Sequence, residues 1–373
     1  MLLIGKGIHT GRTCKVNLSW ASSPGLWIKN PLSLEAYKVG GEIKPVFKAH
    51  RNTSVNIGAQ KWETPEHALA ALVPFANRGL LLETSGKELP GLDGSAWPWV
   101  ELYARLVLQN SCTQTPKDSS IHHTVVSKGY GQTEISNTPE SEIIKDLEPD
   151  YQLFNPPESI YEFQTTQIQI EPADRFEVRI AQQEVSEESC FEKLPQGEGQ
   201  VKSTIPSSKS LIKNGEGFQY LHNTNSAKFL TFGYPAKAHL DSFTWLQIMS
   251  ARTPCRWNDF WLGWKNGRLK GVHPGCGLGL YKNTLEAEQI KEYLGSQILA
   301  NFKVSKYNEP AETFEEPLFW GAPRKFPYEE YAHKILDLLG DLAWLGPRLP
   351  QVRLVLNGAG HFQHHQLVER FYT

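Results

Sequence analysis

A chain of 373 residues that is 40% hydrophobic is long enough for two domains with their own cores, at roughly 150 residues each. Its 38 basic and 40 acidic residues leave a net charge of −2, which excludes a globally polycationic binder of nucleic acid or anionic membrane and confines any such role to a local patch. Cys14, Cys112, Cys190, Cys255 and Cys276 are odd in number and never spaced C-x-x-C, the usage of a reducing cytoplasm. The opening MLLIGKGIHTGR has no basic n-region and does not read as a leader, and no apolar run approaches the roughly 20 residues of a membrane span.

Taken in order, Val16, Leu18 and Trp20 alternate as a strand, and Leu26 and Ile28 follow a turn at Pro24 and Gly25. TPEHALAALVPFA predicts a helix with Thr64 as N-cap and Pro65 in its first turn. GLLLET from Gly79 is a buried strand, and SAWPWVELYARLVL from Ser95 a second helix. This β-rich unit, residues 1–109, is expected to be an N-terminal α+β domain.

Residues 110–159 shift to Ser, Thr, Pro and acidic residues and read as a polar insertion or linker. Ile168 and Ile170, a turn at Pro172 to Asp174, then Phe176, Val178 and Ile180 predict a hairpin. A second polar stretch, about 184–227, interrupts the C-terminal domain of residues 160–373. Beyond it come a helix near His239 to Ser250, a Gly-rich strand region to Tyr281, a helix from Thr284, a helix in HKILDLLGDLAWL from His333, a strand at Val352 to Leu356, and a last helix carrying HFQHHQLVERF. Both halves therefore read as α+β without a βαβ rhythm.

Three polar groupings stand out. In HKILDLLGDL, His333, Asp337 and Asp341 recur every four residues on one helical side, opposite the leucine stripe. Such a His and Asp pair can grip a divalent ion, although the spacing alone equally fits a solvated face. Glu66 and His67 begin the TPEHALAAL helix, where a carboxylate beside a metal-binding imidazole can act as a general base; a helix dipole alone also favours Glu there. GAGHFQHH puts His361 after a Gly-Ala-Gly turn, where it can serve as an acid oriented by Asp341. A small metal cluster of His361, His364 and His365 is a further option, disfavoured because adjacent helical residues point in different directions.

GVHPGCGLGL has the wrong glycine spacing for a dinucleotide loop. Trp245, Arg252, Arg256, Trp257, Trp261, Trp264, Lys265, Arg268 and Lys270 interleave aromatic and basic residues as single-strand nucleic-acid surfaces do. Tryptophans in a core or rim, with basic side chains in water, account for the same pattern, and the near-neutral total charge favours that account.

The blocks GKGIHTG, TPEHALAAL, LPGLDGSAWPWV, SARTPCRWND, HKILDLLGDL and GAGH, in that order, resemble the UDP-3-O-acyl-N-acetylglucosamine deacetylase family, the zinc amidases of lipid A synthesis. The resemblance implies two β-α-α-β domains whose helices are sandwiched between two sheets, with the active site at the domain interface. It implies that His67, His333 and Asp337 bind Zn2+, that Glu66 is the general base, and that His361 is a second catalytic group hydrogen-bonded to Asp341. Thr253 would hold the oxyanion, Lys334 and Asp259 would contact substrate, and His9 would meet its nucleotide part. The implied partner is a UDP-linked acylated glucosamine, with no nucleic acid and no transmembrane segment, for a cytoplasmic monomer. The chain departs from the family at Pro254 and Cys255, where Phe and Gly are usual, in PGCGLGL, and in its two long polar excursions. A same-fold inactive sugar-nucleotide binder, a nucleic-acid module built on residues 245–270, and a zinc hydrolase of another acetamido sugar are the rival readings.

Overall fold

The computed structural model describes residues 1–30, 35–47, 53–112, 124–126, 144, 147–163, 165, 167–181, 229–236, 241–272, 276–281, 318–320 and 324–372. The helix expected from Thr284 and the excursion at about 184–227 lie outside these residues, as does much of 110–159. The chain is α+β: strands β1 (Leu2–Lys6), β2 (Thr13–Trp20), β3 (Leu26–Lys29), β4 (Tyr37–Lys38), β5 (Val46–Phe47), β6 (Ser54–Ile57) and β7 (Gln60–Glu63) precede helix α1 (Glu66–Leu72). Strand β8 (Leu80–Thr84) and helix α2 (Trp97–Cys112) follow. Then come β9 (Thr124–Val126), β10 (Gln152–Phe154), β11 (Ile168–Pro172), β12 (Phe176–Ala181), β13 (Phe229–Tyr234), α3 (Trp245–Ser250), β14 (Pro254–Arg256), α4 (Trp257–Lys265), β15 (Leu278–Tyr281) and β16 (Leu318–Trp320). The C-terminal part carries α5 (Glu329–Leu342), β17 (Arg348–Pro350), β18 (Val352–Leu356) and α6 (His361–Phe371).

A six-stranded sheet runs β4-β3-β8-β2-β1-β9, and a four-stranded one runs β11-β18-β12-β13. The second corrects the expected hairpin. β18 inserts between β11 and β12, antiparallel to the first, with Ile170 opposite Leu354, and parallel to the second, with Val178 opposite the same residue. Alternating apolar residues make both strands good sheet members, but which strand lies beside them is a long-range choice that a local turn signal does not make. Likewise β14 and β15 pair in parallel across α4, a βαβ crossover of a kind not read from the sequence.

Local caps differ too. Thr64 is not the N-cap of α1: it sits at φ 53°, its hydroxyl donates to the carbonyls of Glu63 at 2.8 Å and Leu89 at 3.3 Å, and the helix begins after Pro65. The α-helix stops at Leu72 and tightens into a 3-10 turn carrying Pro74, which lacks an N–H and cannot continue the ladder. α3 starts at Trp245 rather than near His239. Thr244 caps it, accepting from Gln247 N at 3.2 Å while Gln247 Oε1 accepts from Thr244 N at 2.9 Å.

Helix α5 organises the interior. Ile335, Leu336, Leu338, Leu339 and Leu342 are all buried, and so are His333, Asp337 and Asp341 on the other side. A helix buried nearly all round must have neighbours on every face, and α5 packs against α1, α3 and α6. Contact with α1 is closest at Gly340, where a Cβ would come within 2.3 Å of Glu66 O and 2.8 Å of Glu66 Cα. Only glycine allows the two backbones that approach. The apolar core is continuous from Leu3 through Leu69, Val100, Ile170 and Leu336 to Val368.

Candidate active site

Four segments converge at the α1/α5 crossing. α1 supplies Glu66 and His67 in its first turn, α5 supplies His333, Asp337 and Asp341, the turn into α6 supplies His361, and the loop before β6 supplies Thr53. The turn into α6 is shaped by Gly358 at φ 69° and closed by Gln363, whose Oε1 accepts from Gly360 N at 3.1 Å. His361 is thereby the first residue of its helix, with its ring directed back at α5.

One imidazole nitrogen from each of His67 and His333 and one oxygen of Asp337 lie within 4.8 Å of each other. Asp337 Oδ1 is 3.2 Å from His333 Nε2 and 3.7 Å from His67 Nε2. His333 Nδ1 stands 3.0 Å from the carbonyl of Ala251 and donates to it, which turns Nε2 toward the cluster. That Nε2 is buried, has no hydrogen-bond partner, and faces a carboxylate oxygen. Two imidazoles and a carboxylate held this close together fit a divalent cation. The carbonyl that orients His333 belongs to the loop carrying Arg252 and Thr253, and this loop is fastened by a buried ion pair. Arg252 Nε and a terminal nitrogen reach Glu329 at 2.7 and 2.9 Å, and Arg252 N donates to the same carboxylate at 3.0 Å.

Glu66 is buried, its Oε2 has no partner, and burial pushes its carboxyl above the ordinary carboxylate value, opposed by the nearby His361 and His67. Asp341, fully buried, accepts from His361 Nδ1 at 2.8 Å, His364 Nδ1 at 2.9 Å, His365 Nε2 at 3.0 Å and Thr53 Oγ1 at 3.1 Å. Burial alone would raise its pKa, but these imidazoles, His361 first, hold it well below the usual range. Asp337 is held down likewise, against burial, by His333 and His361. For His361, burial acts to lower the pKa, yet Asp341, Asp337 and Glu66 together push it up to about 10. Its Nε2 lies 4.0 Å from Asp337 Oδ1. The arrangement offers a cation site with a buried carboxylate, its Oε2 without a partner, and an imidazole of raised pKa beside it, which is what hydrolysis of a polarised carbonyl requires.

Glu66, His67, His333, Asp337, Asp341 and His361 are thus brought together. Thr253 follows the loop that holds His333, and its N and Oγ1 both donate to Gly94 O, at 2.7 and 2.9 Å. Lys334 is exposed on α5 beside His333, and Asp259 is exposed in α4. His9 lies in the GKGIHTG loop, which Glu88 anchors by accepting from His9 N at 2.6 Å and Thr10 N at 3.0 Å. Its Nδ1 is buried without a hydrogen-bond partner.

His364 and His365, disfavoured in the sequence as metal partners of His361, both reach Asp341 by hydrogen bonds, one through Nδ1 and the other through Nε2. Thr53 and Arg252 were not assigned to the site by sequence reasoning. No spacing rule connects Thr53 to α5, and Arg252 read as a surface cation although it is 3% exposed. Trp245 is also buried, so two members of the Trp and Arg stretch face the interior.

A family model described as UDP-3-O-acyl N-acetylglycosamine deacetylase matches residues 1–192. The bifunctional enzyme LpxC/FabZ of Chlorobaculum tepidum is 33% identical over 101 residues, covering 26% of this chain and 21% of that protein. The protein of the same name from Porphyromonas gingivalis is 35% identical over 120 residues, 31% of this chain and 25% of its own. The UDP-3-O-acyl-N-acetylglucosamine deacetylase of Aquifex aeolicus is 30% identical over 111 residues, 29% and 37% of the two chains. The matches span about a fifth to little more than a third of those relatives. His333, Asp337, Asp341 and His361 lie beyond residue 192, so their place beside Glu66 and His67 rests on the geometry.

Proposed function

The chain belongs to the UDP-3-O-acyl N-acetylglycosamine deacetylase family, and from that premise we propose that it is a zinc-dependent amidohydrolase that removes the acetyl group from the acetamide of UDP-3-O-acyl-N-acetylglucosamine in lipid A biosynthesis. The observation that carries this reading is the meeting of His67 with His333 and Asp337, from segments far apart in the chain, within 4.8 Å and beside Glu66, whose Oε2 is buried without a partner.

His67, His333 and Asp337 would hold the zinc, which when bound acidifies water and polarises an amide carbonyl. Glu66 takes the proton of the attacking water; its burial raises its pKa and makes it a stronger base than an exposed carboxylate. His361 carries its second proton on Nε2, turned to the site, and delivers it to the departing amine nitrogen. Asp341 holds the opposite nitrogen and stabilises the imidazolium. Thr253 is assigned to the developing oxyanion, its hydroxyl exchanging the carbonyl of Gly94 for that charge. Lys334, Asp259 and His9 are assigned to the substrate, His9 to its nucleotide part.

The same reading divides the chain into a domain of residues 1–109, a polar linker at 110–159 and a domain of 160–373 with an excursion at about 184–227. Each domain would be a β-α-α-β unit, with helices between the two sheets and the site at their interface. No helix of the described residues is long and apolar enough to cross a membrane. We assign the protein to the cytoplasm, acting as a monomer.

Metal analysis beside an acetate-release assay tests the proposal. His67→Ala and Asp337→Ala should lose zinc, and Glu66→Ala should keep zinc while losing most of its rate. A fully active Glu66→Ala would contradict the assigned base. A zinc-loaded wild type that turns over none of the substrate would make the chain a binder, and a salt-dependent shift with single-stranded oligonucleotides would move the function to residues 245–270.

A further inference from the structure

The buried group behind His361 is larger than catalysis by one acid and its partner needs. Asp341, Thr53 and His364 are fully buried and His365 is 3% exposed, and all converge on one carboxylate. An ionised carboxylate only accepts hydrogen bonds and offers about four lone-pair sites. Here Oδ2 takes His361 Nδ1 and His364 Nδ1, at 2.8 and 2.9 Å, and Oδ1 takes His365 Nε2 and Thr53 Oγ1, at 3.0 and 3.1 Å. Every acceptor site is filled. Each ring nitrogen facing Asp341 must therefore carry a proton.

The other nitrogens agree. His364 Nε2 and His365 Nδ1 are buried with no partner. A buried N–H is best placed where an acceptor stands, so each ring presents a proton to Asp341. Phe47 stacks on the His365 ring, centroids 4.2 Å apart and planes 14° off parallel, which fixes its orientation. Thr53 Oγ1 stands at the centre, also 3.1 Å from His361 Nδ1 and 3.4 Å from His365 Nε2. Its one proton goes to Asp341, and its lone pairs face the two rings.

We propose that Thr53, His364 and His365 are positioning residues for His361: by occupying the other acceptor sites of Asp341 they leave that carboxylate one fixed bond to His361 Nδ1, so that His361 Nε2 is the nitrogen turned to the reaction site. The inference rests on the function proposed above. A carboxylate with free acceptor sites could rotate or recruit water, and the His361 ring would turn with it. Saturating the carboxylate removes that freedom.

The test compares variants that keep or delete the donated proton at its own position. His365→Gln restores a donor near Nε2 and His364→Asn one near Nδ1, whereas His365→Leu, His364→Leu and Thr53→Val remove it. With UDP-3-O-acyl-N-acetylglucosamine as the probe, the deleting variants should lose about 10-fold or more in kcat, with KM and zinc content unchanged, as deletions behind a working imidazole commonly do. The Gln and Asn variants should recover most of that rate. Leu variants with wild-type kcat, or Gln and Asn variants as impaired as Leu, would overturn the proposal. Ring 15N spectra of the substrate-free protein provide a second arm that does not need turnover. His361 and His364 should be protonated at Nδ1 and His365 at Nε2, and Thr53→Val, which changes shape least, should shift the His361 Nδ1 signal. A bare Nδ1 on His361, or a signal indifferent to Thr53→Val, would refute the arrangement. Absence of acetate release by the wild type would instead remove the proposed function while leaving the spectra to decide the positioning.

Discussion

Gly340→Ala puts a methyl group where α5 meets the backbone of Glu66. The new Cβ would stand 2.3 Å from Glu66 O, 2.7 Å from its carbonyl carbon and 2.8 Å from its Cα, against ordinary contact beginning at 3.4 Å. These neighbours are backbone atoms, so no rotamer change relieves the overlap; the helices must part by about 1 Å at this point. Overpacking of this kind costs about 1–3 kcal/mol. Alanine returns about 1 kcal/mol of helix propensity relative to glycine, so the net loss of stability is about 2 kcal/mol at most. The larger effect is on the reaction: moving a catalytic group by about 1 Å can cost about 100-fold. Urea unfolding and acetate release, measured together, should therefore show a modest midpoint shift and a large fall in kcat with zinc retained. Gly360→Ala, where an added Cβ meets nothing within 4 Å, is the stability control. A Gly340→Ala protein with wild-type kcat would show that the α1/α5 approach does not set the position of Glu66.

Three other outcomes are expected. Glu329→Gln removes the carboxylate charge facing the buried Arg252 guanidinium and should cost about 3–5 kcal/mol by urea unfolding. Burial raises the Glu329 pKa, but Arg252 outweighs it and holds the folded value below 4.5. The pair's stabilisation is therefore present above the ordinary Glu range and lost as pH falls through the lowered value, so the wild-type advantage over Glu329→Gln should shrink on acidification; an advantage constant down to unfolding would argue against it. The pH profile of kcat/KM should be bell-shaped: its acid limb lies above the 4.5 of an ordinary Glu, because buried Glu66 must be ionised, and its alkaline limb no higher than about 10, where His361 loses its proton. Rates that persist below pH 4.5 would exclude Glu66 as the base.

Periodicity alone located α6 at His361–Phe371 and β18 at Val352–Leu356, and it placed His333, Asp337 and Asp341 on one side of α5. These are local properties, since side-chain direction repeats every 3.6 residues in a helix and every two in a strand. The resemblance carried by TPEHALAAL and HKILDLLGDL added the pairing of His67 with His333 and Asp337, which no spacing within either block implies. Solvated face or ligand set could not be told apart from α5 by itself, because both demand polar residues four apart.

Burial excluded the solvated face. His333, Asp337 and Asp341 lie against α1 and α6, where polar groups persist only with partners. The same long-range packing explains the other differences. β18 entered between two strands that read as a hairpin, Thr64 turned its hydroxyl to Glu63 and Leu89 instead of capping α1, and Arg252 left the surface for Glu329. Thr53 reached Asp341 from a loop with no pattern of its own. Amino-acid order encodes which faces each element presents, whereas the identity of the facing residue depends on how the chain closes in space, and the chemistry of this site resides in those facing pairs.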